Sequence, residues 1–72
     1  MTLAGVFREN LRIAIQSHDD NITAIAKQSG YSRTHIRRVE AGVHNPTLLF
    51  VECMAETLGV PVAEMLGFKE TP

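Results

Sequence analysis

Apolar side chains recur along most of this chain at steps of three and four residues, and glycine, proline and short polar runs interrupt them at intervals. That period belongs to amphipathic helices; a half-buried strand would alternate every two residues. Leu3, Val6, Phe7, Leu11, Ala14 and Ile15 form one such stripe and predict a helix over Leu3–Ser17, with Thr2 as its N-cap. His18, Asp19 and Asp20 break the pattern. Asn21 can cap a second helix, Ile22–Ser29, whose shared face is Ile22, Ile25, Ala26 and Ser29. Gly30 follows, where a left-handed residue closes a helix at least cost. Ser32 can cap a third helix, Arg33–Ala41, which buries Ile36 and Val39 and ends at Gly42. Thr47 can cap a fourth, Leu48–Leu58, with Leu48, Val51, Ala55 and Leu58 in phase and Gly59 behind it. Pro61 opens a short fifth helix, Val62–Leu66, closed by Gly67. Residues 68–72 read as a flexible tail.

The expectation is an all-α, compact five-helix fold, one domain over residues 1–72. Only Tyr31 separates Gly30 from the next cap, so the second and third helices cannot run collinear. Their apolar faces must turn toward a shared core, which demands a steep crossing. A core of this size supplies only about 3–5 kcal/mol, so regular packing or self-association is expected to help.

Composition narrows the function classes. The single cysteine, Cys53, excludes a disulfide framework and a cysteine-based metal site. His18, His35 and His44 fit no zinc spacing and read as surface histidines. No side chains are placed to activate Cys53 as a nucleophile, so it reads as a small apolar residue, and no catalytic constellation, cofactor or metal is expected. Arg8, Glu9, Asn10 and Arg12 interrupt any apolar run near the start, and no stretch approaches a membrane span. A cytoplasmic protein with no membrane partner and no evident small-molecule effector is expected.

The formal charge is −1 overall, but it is unevenly spread. Residues 21–46 carry Lys27, Arg33, Arg37 and Arg38 against Glu40 alone. Residues 47–72 carry Glu52, Glu56, Glu64 and Glu70 against Lys69. A basic middle can face phosphates while the acidic end points away.

The run Ala26, Gly30-Tyr31-Ser32, Ile36, Glu40-Ala41-Gly42, Pro46 and Leu58-Gly59-Val60 resembles the λ-repressor-like (Cro, XRE) helix-turn-helix family. The resemblance extends from about Asn21 to Leu66, with the helix-turn-helix itself over about 21–42. It implies a sequence-specific double-stranded DNA-binding regulator of transcription, most simply a repressor that binds an inverted-repeat operator as a homodimer. It further implies that the start of the third helix enters the major groove, so Arg33, Thr34 and Arg38 should meet base edges and Arg37 a base or a phosphate. Asn21, Thr23 and Ser32, at helix starts, and Lys27, further along the second helix, are the implied phosphate contacts, with His44 and Asn45 in the following loop. Two positions depart from the family. Its usual glutamine early in the second helix is here Ile22, leaving Thr23 or Lys27 to substitute. The arginine that usually pairs with the acid at Glu40 is here Ile15, leaving Arg12, Arg8 or a local cap.

Each feature also has a plain structural reading. Arginines on one helix face are ordinarily just solvated, and it is the glycine-turn context that favours DNA contact here. Tyr31 reads as a half-buried aromatic in the turn. Val60, Val62, Met65, Leu66 and Phe68 exceed what a five-residue helix can hide, so they either pack on the first helix or form a dimer face, with Val60, Val62, Met65 and Phe68 the candidates. A competing use of such a bundle is an antitoxin or adaptor that grips a partner protein.

Overall fold

The computed structural model describes residues 2–19 and 21–68. Five helices follow one another: α1 (Leu3–Ser17), α2 (Ile22–Ser29), α3 (Arg33–Glu40), α4 (Leu48–Leu58) and α5 (Val62–Met65). There is no strand among the described residues. The expected caps are all made. Thr2 Oγ1 accepts from the Gly5 amide at 3.0 Å, Asn21 Oδ1 from Ala24 at 3.3 Å, Ser32 Oγ from His35 at 3.0 Å, and Thr47 Oγ1 from Phe50 at 3.1 Å. Each satisfies one of the amides that a helix start leaves without a partner.

α1 packs against α3, α4 and α5, and α2 against α3 and α4. Phe7, Leu11 and Ile15 of α1, Ile36 and Val39 of α3, and Phe50 and Met54 of α4 lie within 1% of full burial at the centre of the core. Phe7 and Phe50 meet edge to face, with ring centroids 6.2 Å apart. No polar side chain is buried among the described residues, so the fold is held by apolar contact and closed by polar groups at its rim.

Of the four residues expected on the apolar face of α4, Val51, Ala55 and Leu58 are buried and Leu48 is not. Leu48 is 79% exposed, and the buried residues are Phe50, Val51, Met54, Ala55 and Leu58. Leu48 shares the side of Val51 and Ala55 but stands in the first turn of α4, beyond the cover that Phe50 and Val51 receive. Leu3, in the first turn of α1, is also half-exposed.

Two side chains from α1 tie the far end of the bundle. Asn10 Nδ2 donates to the carbonyl oxygens of Glu64 and Met65, at 3.3 and 2.9 Å. His18 Nε2 lies 3.0 Å from the Leu58 carbonyl oxygen. Asn10 thus adds a donor to the Glu64 carbonyl, which also accepts the Gly67 amide, and reaches the Met65 carbonyl at the end of α5, while His18 reaches the end of α4. Met65, one of the candidates for a dimer face, is 1% exposed. Its side chain is consumed by the core of its own subunit and cannot line a contact with another. Val60 is half-buried against that core, while Val62 and Phe68 are exposed. The remainder of the expected tail, 69–72, lies outside the described residues.

Candidate nucleic-acid interface

The interface is built by the turn between α2 and α3. Gly30 takes φ 83, and its amide donates to the Ala26 carbonyl at 3.0 Å, closing α2. A side chain there would be strained in that left-handed conformation. Tyr31 bridges to the Ser32 cap, and its ring packs edge-on against Phe50 at 4.8 Å. The chain therefore changes direction over two residues with an aromatic anchor beneath the turn. Ile36 and Val39, both at 0% exposure, hold α3 to the core, so the opposite face must project outward.

That face carries Arg33, Thr34 and Arg38, all exposed, together with the half-exposed Arg37. With Ala41 and Val43 they line one shallow recess along α3. The four side chains expected at base edges are thus brought together. They are not equivalent. Arg33 Nη1 stands 3.5 Å from Thr23 Oγ1, which leans it toward α2. Arg37 Nη1 donates to both carboxylate oxygens of Glu40, at 3.1 and 3.3 Å. Arg38 extends from the exposed side of the helix, one turn beyond Thr34.

Both departures from the family pattern acquire a physical answer. Ile22 packs against the core, and Thr23 stands beside Arg33 in place of the usual glutamine. Glu40 pairs within its own helix with Arg37 rather than with α1. Arg12 is engaged by Glu9, and Arg8 runs across Gly42, where an added Cβ would meet its Nε at 3.5 Å.

The expected phosphate contacts fall into three groups. Asn21 and Ser32 spend an acceptor oxygen on capping, yet the Asn21 amide and the Ser32 hydroxyl retain hydrogens to donate. Thr23 and Lys27 are exposed on α2. His44 and Asn45 are exposed on the loop after α3.

Histidine spacing concealed one feature of this surface. Tyr31, His35 and His44 form a column of near-parallel rings, with centroids 5.4 and 5.9 Å apart and interplanar angles of 17° and 20°. Phe50 supports it edge-on at 5.3 Å from His35. The column joins the turn, α3 and the loop that follows. The four-residue step from Tyr31 to His35 was visible in the sequence, but the arrival of His44 depends on how the loop folds back. Among the described residues, no cluster of three His, Cys, Asp or Glu could hold a metal, and no helix is long and apolar enough to cross a membrane.

The family described as "Helix-turn-helix domain" matches residues 21–66, well over half of the chain and the same span that builds this face. The chain belongs to that helix-turn-helix family. Its match agrees with the λ-repressor-like resemblance and with the observed all-helical fold. Comparison with curated proteins and with solved structures gives no match. Helix-turn-helix domains are DNA-binding modules of regulators, and in such modules the second helix of the pair, the place α3 holds in this fold, is the element that enters the groove.

Proposed function

We propose that this helix-turn-helix domain is a sequence-specific regulator of transcription, a repressor that binds an inverted-repeat operator as a homodimer. One observation carries the reading. α3 buries Ile36 and Val39 completely while Arg33, Thr34 and Arg38 stand exposed beside one another on its other face. An arginine fork matches O6 and N7 of guanine in the major groove, and a threonine methyl can meet the methyl of thymine. The N-termini of α2 and α3, with exposed Lys27 on α2 and His44 and Asn45 on the loop after α3, suit the flanking phosphates.

The acidic side chains of α4 and α5, Glu52, Glu56 and Glu64, are exposed on elements outside the helix pair. They would repel DNA if docked against it, which gives the domain one productive orientation. The homodimer is supported by exposed Val62 and Phe68 near the end of the bundle, and by the small core. Two copies related by a two-fold axis would present their α3 helices to half-sites about one duplex turn apart.

Selection of bound duplexes from a random library tests the whole reading. The expected result is an enriched inverted repeat with guanine in each half-site. Enrichment of a single unrepeated site would contradict the dimer, and no enrichment at low salt would contradict DNA recognition and favour the adaptor.

A further inference from the structure

Among the most exposed aliphatic side chains of the described residues is Val43, at 67%, and it lies in the same recess as the arginines of α3. Its backbone is fixed from several sides. Gly42 takes φ 84, its amide donates to the Val39 carbonyl at 3.1 Å, and the Val43 amide donates to the Arg38 carbonyl at 2.8 Å. These are the paired bonds of a Schellman helix end. The next residue, His44, donates its amide to the same Arg38 carbonyl at 3.3 Å, and its ring stacks on His35.

In such a helix end, an apolar residue after the glycine ordinarily covers a partner in the last turn. The end of α4 does this. The Val60 amide donates to the Ala55 carbonyl at 2.9 Å, and Val60 packs half-buried on the core. At the end of α3 the corresponding partner is Arg38, and Val43 faces outward beside it. The backbone makes the same bond as at Val60, but the isopropyl group has no apolar cover among the described residues.

What covers it must also accept Arg33 and Arg38. A protein surface laid over this recess would have to bury or pair those guanidinium groups. A major groove pairs them with guanine edges and phosphates and offers one apolar group, the 5-methyl of thymine. We propose that Val43 is a specificity-determining residue that packs against the 5-methyl group of one thymine in each half-site. The inference rests on the DNA-reading function proposed above and adds to it a base preference beyond the arginine contacts. The constraints on Gly42, Val43 and His44 mean that little backbone order has to be acquired on contact.

The test uses the duplex recovered by selection, with each thymine replaced in turn by deoxyuridine, which removes only the methyl group. Wild-type protein should lose about fourfold in affinity at one thymine per half-site, as expected for one buried methyl. Val43→Ala should abolish the distinction between thymine and uracil at that position and leave every other position unchanged. Val43→Thr, of nearly the same shape, should retain part of it. Circular dichroism spectra matching wild type show that the variants are folded. A selected duplex with no thymine coupled to Val43 overturns this assignment and leaves the DNA-reading function standing. Loss of self-association in Val43→Ala, without methyl dependence, also overturns it and assigns the residue to a protein contact. Failure to select any duplex overturns both readings.

Discussion

Arg37 and Glu40 form a two-pronged ion pair within α3, Nη1 donating to both carboxylate oxygens at 3.1 and 3.3 Å. The pair sets Arg37 apart from Arg33 and Arg38 and bears on the choice, open in the sequence, between a base and a phosphate contact. Glu40 is the less exposed partner, its side chain 18% exposed against 40% for Arg37, so the guanidinium is drawn along the helix rather than straight out. Arg37→Ala should therefore lower affinity for specific and non-specific duplexes by similar factors. A selective loss for the specific duplex, measured by competition binding, would place Arg37 among the base readers after all.

Asn10 donates to two carbonyls at the end of α5, and no side chain of α5 does the same work. Asn10→Ala should lower stability by about 1 kcal/mol, chiefly through the part-buried Met65 carbonyl, which loses its donor. In a domain of this size that is a fall of about 4–8 °C in melting temperature. Duplex affinity, measured well below the transition, should be unchanged, since Asn10 lies on α1 and is not part of the α3 recess. A melting temperature equal to wild type would show that the contact contributes nothing.

Ala26 lies half-buried against the core on α2, and its carbonyl accepts the Gly30 amide that closes the turn. Ala26→Leu should push α2 and α3 apart and destabilise the domain by about 1–3 kcal/mol. Urea denaturation gives the value directly. Unchanged stability would mean that the close approach of the two helices is not required.

Lys27 stands exposed on α2, with charge but no base-reading fork. Lys27→Ala should weaken binding to all duplexes alike and reduce the slope of log affinity against log salt by about 1. An unaltered slope would remove Lys27 from the phosphate contacts.

The fold was legible where local chemistry decides it. Thr2, Asn21, Ser32 and Thr47 each combine a capping side chain with a following apolar step, and each caps the helix expected of it. Eight of the ten expected helix boundaries coincide with the observed ones, and the ends of α3 and α5 fall one residue early; in α4 the expected Val51, Ala55 and Leu58 are buried and Leu48 is not. Apolar residues at Leu48, Leu49, Phe50 and Val51 give no unique phase, and only packing against Phe7 and Tyr31 selects Phe50 as the inward residue. The arginine face was legible because Ile36 and Val39 fix its opposite. The Tyr31–His35–His44 column, the Asn10 tie and the outward Val43 were not. Each joins residues whose approach depends on how separate elements settle on one another, and no period in the chain encodes that.

The central claim is that α3 reads base edges through Arg33 and Arg38. Its most direct test is the ratio of specific to non-specific duplex affinity at one fixed salt concentration, for wild type, Arg33→Ala and Arg38→Ala. Each substitution should lower that ratio by about 1–3 kcal/mol, roughly 5- to 150-fold, because a lost fork removes discrimination as well as charge. Equal losses in both affinities, leaving the ratio at its wild-type value, would contradict the claim and reduce these arginines to phosphate contacts.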